Sequence, residues 1–218
     1  MKGMVRLLFI RHGQTLWNKE LRYNGDTDTV LTALGRRQAA AVAARLQHRH
    51  VDAVVCSDRR RATETAEAIV ALCRCPVRAD ARWREVIFGE AEGLRWREVV
   101  ERFPLAARAW AENRADAAMP GGESVLDVAR RVQPALAELA AEFDQRTVAV
   151  VSHGGPLRVA LCLLLGSDVS YHWRYNVMPC TLSEAAVYPS GGVLNLLNDA
   201  CHLRSRGPVE ADEAEGLA

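Results

Sequence analysis

Two histidines in this chain follow short apolar runs in the same way. Val5 to Ile10 holds five apolar residues in six positions and ends in Arg11-His12-Gly13. Thr147 to Ser152 ends in His153-Gly154-Gly155. Runs this short read as buried strands rather than helices. Polar groups at the carboxyl ends of core strands stand where α/β proteins place their ligands. A third run, Val51 to Cys56, ends in Ser57-Asp58-Arg59-Arg60-Arg61. If the three ends converge, two histidines and at least two arginines share one edge. That site is positive and rich in donors, and it suits a compact dianion such as phosphate. Arginine offers a planar fork that matches phosphate oxygens. A histidine with its ordinary pKa of about 6.5 keeps a neutral nitrogen for attack on phosphorus. The attack forms a phosphohistidine, and the arginines stabilise charge on the transferred group. The departing alkoxide then needs a proton. Glu85, in an irregular segment between core elements, is the best-placed carboxyl, provided that it is protonated near neutral pH. A helix beginning after His153 adds free backbone N–H groups at Gly154 and the positive end of its dipole.

The elements that must position these groups alternate. Thr32 can cap a helix to about His48, with Leu34, Val42 and Leu46 on one face. Ala62, Ala66, Ile69, Val70 and Cys73 mark the buried face of another, which Pro76 stops. Pro76-Val77-Arg78 starts an edge strand. Two short helices, near Trp96–Arg102 and Leu105–Asn113, interrupt the rhythm. Ser124 and Asp127 are placed to cap a long helix striped by Val125, Val128, Val132, Leu136, Leu139 and Phe143. Pro134 lies inside it and should kink it. Leu157, Leu161, Leu164 and Leu165 line the helix after His153. Thr181–Tyr188 and Val193–Leu197 read as a hairpin around Pro189–Gly192. The expected fold is therefore α/β: a three-layer sandwich whose mostly parallel sheet carries helices on both faces. A small helical insertion, about residues 86–120, covers the carboxyl edge. One domain over 1–206 is expected, with an acidic, disordered tail at 207–218.

Composition narrows the class. The 218 residues carry 28 basic and 27 acidic side chains, a net charge of +1. That balance gives no support for nucleic acid as the main partner. There is no signal-peptide core and no apolar run long enough to span a membrane, so a cytoplasmic protein is expected. The six cysteines include no C-x-x-C pair and read as buried small hydrophobes rather than as disulfides or zinc ligands. His48, His50 and His202 read as structural or solvated. Arg59 and Arg60 read as a solvated helix start, and Arg95, Arg97, Arg102 and Arg108 as a solvated helix face. Trp83, Trp96 and Trp110 read as packing residues.

Five stretches in order carry a resemblance. Ile10-Arg11-His12-Gly13-Gln14-Thr15 with Trp17-Asn18 resembles the opening motif of the histidine phosphatase superfamily, in its phosphoglycerate-mutase-like branch. Ser57-Asp58, Arg61-Ala62 and Thr65-Ala66 resemble its second motif. Arg84-Glu85, Phe88-Gly89 and Glu92-Gly93 resemble its third. Pro120 to Ser124 and Ser152 to Gly155 complete the set. The resemblance implies His12 as the nucleophile and Glu85 as the proton donor. It implies Arg11, Arg61 and His153 as phosphate ligands, and Asn18 as a further contact. It selects Arg61 over Arg59 and Arg60, because the motif places its arginine directly before alanine. Glu90 and Glu92 are the fallback acids. No metal or organic cofactor is implied. The usual tryptophan is replaced by Ala91, which is expected to reshape the pocket wall.

Within the family, the expected activity is metal-independent hydrolysis of a phosphomonoester carried by a small metabolite. The alternative is a phosphoglycerate mutase. Against it, Phe88 stands where mutases carry tyrosine, and Arg108 and Arg114 are too separated to form their arginine pair. The ending Leu197–Leu203 is similar to that of α-ribazole phosphatases, although a sugar phosphate or phosphoglycerate is as acceptable a substrate. A non-catalytic phospholigand-binding module is a second alternative. A dinucleotide-binding protein lacks its glycine fingerprint here. The edge hairpin leaves a homodimer open.

Overall fold

The computed structural model describes residues 3–204, so the expected acidic tail lies outside the described residues. Strand β1, Val5–Arg11, is the spine. Its side chains alternate between two cores, as the period of two requires. Val5, Leu7 and Phe9 face one helical layer, and Leu8 and Ile10 face the other. Each fully buried side chain of this size contributes about 1.5–3 kcal/mol.

A short helix, α1 (Leu16–Lys19), interrupts the expected long loop. Thr15 caps it in a reciprocal box with Asn18. Helix α2, Ala33–Leu46, begins at Thr32, whose hydroxyl accepts from the Gly35 amide at 3.0 Å. Its buried face is Gly35, Ala39, Val42, Ala43 and Leu46. Leu34, expected on that face, is exposed, because the close approach runs through Gly35 instead. A Cβ at Gly13 or at Gly35 would collide with the backbone of the other segment. The two glycines let the turn after β1 pass directly over the start of α2.

Strand β2, Ala53–Cys56, leads to α3, Arg60–Cys73, and to the short edge strand β3, Val77–Ala79. The insertion holds α4, Trp96–Arg102, and α5, Pro104–Ala111, which starts at a proline in its first turn. Helix α6, Val125–Glu142, is capped by Ser124 and Asp127 as expected and runs on through Pro134. Strand β4, Thr147–Ser152, delivers His153 to the start of α7, Gly154–Leu165. The hairpin is β5, Leu182–Tyr188, and β6, Gly191–Asp199.

The six strands lie in the order β3-β2-β4-β1-β5-β6. The first four are mutually parallel; β5 pairs antiparallel with β1, and β6 antiparallel with β5. Helices α2 and α3 cover one face; α6 and α7 cover the other. The chain leaves β1, builds β2 and β3 further out, then returns to insert β4 beside β1. That reversal is the switch point where α/β sheets open a crevice.

All six cysteines are free thiols; Cys56, Cys75, Cys162 and Cys180 are buried, whereas Cys201 is exposed. Among the described residues, no helix is long and apolar enough to cross a membrane. Nor does any group of three or more histidine, cysteine or acidic side chains there form a metal site.

Candidate active site

Arg11 of β1 registers on Ser152 of β4, so the next residues, His12 and His153, emerge side by side. The His12 amide donates to the Ser152 carbonyl at 2.9 Å. The two rings meet edge to face, with centroids 5.0 Å apart. Both are almost completely buried.

Their hydrogen bonds define the tautomers. His12 Nδ1 lies 2.7 Å from the Gly13 carbonyl; a carbonyl only accepts, so Nδ1 carries the proton and Nε2 keeps its lone pair. Arg61 Nε donates to His153 Nδ1 at 3.1 Å. His153 Nε2 therefore holds the proton and donates to the Ser57 hydroxyl at 2.8 Å. Both imidazoles have pKa values well below the ordinary histidine range. Burial is the main cause, followed by the adjacent Arg61; Arg11 acts in the same direction on each. Both rings are neutral at neutral pH.

The two arginines differ in what they can still offer. A guanidinium has five N–H donors. Arg61 spends one on His153, one on the Thr27 carbonyl, and two on the Asn24 and Gly25 carbonyls. One N–H remains. Arg11 gives one to the Val177 carbonyl at 3.0 Å, and its buried Nε has no partner. Arg11 is thus the arginine with an open fork. Burial lowers both to a pKa of about 10, which leaves them charged at neutral pH.

The loop whose carbonyls grip Arg61 is itself pinned by Glu92. Its carboxylate accepts from the amides of Gly25 (3.0 Å), Asp26 (2.9 Å) and Phe88 (3.2 Å). Glu92, a fallback acid by sequence, is here a clamp with its oxygens occupied by N–H donors. Glu90 is exposed.

Glu85 reaches the site from the segment after β3. Its Oε1 accepts from the Val86 amide and from the Gly155 amide in the first turn of α7, each at 2.9 Å. Oε2 has no protein partner among the described residues. Arg131 of α6 holds the segment, donating to the carbonyls of Arg82, Arg84 and Glu85 and pairing with Glu123. Sequence reasoning missed Arg131. Its signal was a charge next to Val132 in the helix's buried stripe.

Asn18 lies in the α1 cap, where its Oδ1 accepts from the Thr15 amide at 3.0 Å. Its Nδ2 makes no hydrogen bond among the described residues. Thr65 orders the turn after β1, accepting from the Gly13 amide at 3.1 Å. Arg59 departs from the solvated position expected of it: it is mostly covered and paired with Asp26, because the loop folds back over the start of α3. Arg108 and Arg114 pair with Glu112 and Asp116 on the surface. Ala91 is buried with Val99, Ala107 and Met119 in the small core of the insertion, rather than forming a pocket wall. His202 Nε2–H donates to the Cys180 carbonyl at 2.8 Å; it is structural.

Fold and site define an α/β protein with a neutral histidine pair, ringed by guanidiniums, at the switch point of its sheet. The chain belongs to the histidine phosphatase superfamily, branch 1, whose family model matches residues 7–200. It is 34% identical over 200 residues to phosphoserine phosphatase 1 of Hydrogenobacter thermophilus, covering 92% of this chain and 95% of that protein. It is 32% identical over 205 residues to a Proteus mirabilis protein named "Probable phosphoglycerate mutase GpmB", covering 92% and 95%. Among solved structures it is similar to the α-ribazole phosphatase of Shigella flexneri, with a TM-score of 0.82 at 28% identity, covering 89% of this chain and 96% of that one.

Proposed function

We propose that the protein hydrolyses the phosphomonoester of a small metabolite, without a metal ion, through a phosphohistidine on His12. The observation that carries this reading is the hydrogen bond from His12 Nδ1 to the Gly13 carbonyl. It leaves Nε2 unprotonated and fixes the ring, beside guanidiniums that attract a phosphate dianion. Nε2 attacks phosphorus as the ester P–O bond breaks. The proton on Glu85 Oε2 passes to the leaving alkoxide. Water then attacks the phosphohistidine, returning a proton to Glu85 and releasing inorganic phosphate. Arg11, the last donor of Arg61 and the Gly154 amide neutralise charge on the transferred group. For His153 to touch phosphate, its Nε2–H must leave Ser57. Asn18 Nδ2 is a further available donor. The catalytic unit is the single domain over 1–206 with the insertion at about 86–120, acting in the cytoplasm.

Hydrolysis is favoured over mutase chemistry by the insertion. Phe88 packs between Tyr23 and Trp110, and Arg108 and Arg114 are engaged at the surface, so these two arginines form no paired grip on a second phosphate. The named relatives and structural neighbours support phosphoserine, α-ribazole phosphate and phosphoglycerate as the first esters to try. The test is phosphate release from such a panel, with isomerisation of phosphoglycerate measured in parallel. Release that disappears in His12→Ala, with alkali-stable phosphate trapped on His12 in the wild type, is expected. Isomerisation without release, or a fully active His12→Ala, overturns the proposal.

A further inference from the structure

Arg158 is the one residue of charged type in the otherwise apolar helix Gly154–Leu165. It stands four residues after Gly154 and three after Gly155, on the same helix face. Helical side chains lean towards the N-terminus of their helix, so Arg158 leans across two positions that have no side chain. That cleared surface is the floor of the site. A Cβ at Gly154 would touch Arg11 Cζ at 3.6 Å and Glu85 Oε2 at 3.7 Å, and one at Gly155 would collide with Glu85 Oε1. Arg158 repels Arg11 and attracts Glu85, which agrees with this placement.

Arg158 is nonetheless without a partner. It forms no ion pair among the described residues, and its buried Nε has no hydrogen bond. A buried, charged donor left unsatisfied, as this Nε is, costs free energy unless an acceptor completes it. Glu85 Oε1 is taken by the amides of Val86 and Gly155, and no hydrogen bond or ion pair joins Glu85 to Arg158 among the described residues. Arg11, Arg61 and Arg158 then present three positive charges to a phosphomonoester dianion. Arg158 acts on Arg11 as a further guanidinium whose charge no ion pair among the described residues takes up.

We propose that Arg158, beside Arg11, binds a carboxylate that the substrate carries close to its phosphoester, and so makes the enzyme select carboxylated phosphomonoesters. This rests on the hydrolytic reading above. It assigns to Arg158 a role in specificity rather than in bond breaking.

Matched esters test it. Phosphoserine and phosphoethanolamine differ only by a carboxylate; 3-phosphoglycerate and glycerol 3-phosphate differ by a carboxylate in place of a hydroxymethyl group. The wild-type protein is expected to favour the carboxylated member of each pair by about ten- to a hundred-fold in kcat/KM, the range of a hydrogen bond to a charged group. In Arg158→Gln that preference should collapse, through a rise in KM that is larger for phosphoserine and 3-phosphoglycerate than for their uncarboxylated partners. Arg158→Lys should restore part of it, since lysine keeps the charge and loses the fork. Equal wild-type rates within each pair overturn the inference and leave hydrolysis standing, even if the variants do not fold. So does an Arg158→Gln enzyme that slows on all four esters alike. No release from any ester overturns the hydrolytic reading itself.

Discussion

Arg61 Nε donates to His153 Nδ1 across 3.1 Å, joining the start of α3 to the end of β4. The bond holds the His153 proton on Nε2 and spends one arm of the arginine on a ring instead of on substrate. With three backbone carbonyls taking three more donors, Arg61 is chiefly the keystone of the pocket. Arg11 is the arginine left open for an incoming anion.

The role of Glu85 can be read from the leaving group. A glutamine there keeps the acceptor for Gly155 and removes the transferable proton. Glu85→Gln is expected to lower kcat on an alkyl phosphate by about 10²–10⁴. On p-nitrophenyl phosphate, whose phenolate leaves unaided, the loss should be small. Parallel kcat measurements check this, and equal losses on both esters count against an acid at this position.

Acid should act on stability before it acts on the proposed nucleophile. His12 and His153 are held neutral when folded, with pKa values well below the unfolded value of about 6.5. Below pH 6.5 the unfolded chain therefore binds more protons than the folded one, and stability falls as pH falls. The two rings together contribute a slope of up to about 2.7 kcal/mol per pH unit, which ends only at the depressed folded values. Urea midpoints between pH 7.5 and 5 measure it. Over the same range kcat should not show an acid limb near 6.5 from His12, and the slope should be shallower in His12→Ala.

Neighbouring glycines at the start of α7 should respond differently to one methyl group. At Gly155 a Cβ collides with Glu85 Oε1 and lies 2.6 Å from Val86 Cγ2. Gly155→Ala must push the carboxyl aside, at a cost of about 1–3 kcal/mol and a fall in kcat on alkyl phosphates. At Gly154 the nearest atoms stand at 3.6 Å or more, an ordinary contact. Gly154→Ala should melt within a few degrees of the wild type. Thermal denaturation of both variants distinguishes them.

Glu92 should matter through Arg61. Glu92→Ala frees the amides of Gly25, Asp26 and Phe88, and the carbonyls that hold Arg61 lose their anchor. A stability loss of about 1–3 kcal/mol is expected, with a weaker affinity for inorganic phosphate or vanadate as inhibitor. An unchanged inhibition constant would separate the loop from the anion site.

Local patterns carried much of this molecule in plain view. Short apolar runs ending in Arg11-His12, Ser57 and Ser152-His153 marked the strands and their polar ends, because alternation and run length reflect burial on a pleated sheet. The Ser124–Asp127 cap and the stripe of α6 were legible for the same reason: their partners lie within one or two turns. Leu34 misled because its periodic place belongs to the helix alone, whereas the neighbour that α2 packs against is the turn at Gly13. Ala91 misled because a motif position does not say which core a side chain enters.

The sequence by itself determined the kinds of group that could meet and the strand ends that bear them, since those depend on neighbours along the chain. The tertiary structure decided which nitrogen of each imidazole is free, that Glu92 clamps a loop, that Arg61 is nearly saturated, and that Arg158 has no ion pair among the described residues. Those properties arise from the Arg11–Ser152 register and from carbonyls tens of residues away. Hydrogen bonds and charge pairs of that range leave no periodic trace in a chain, because they are set by distance in space and not by separation in number.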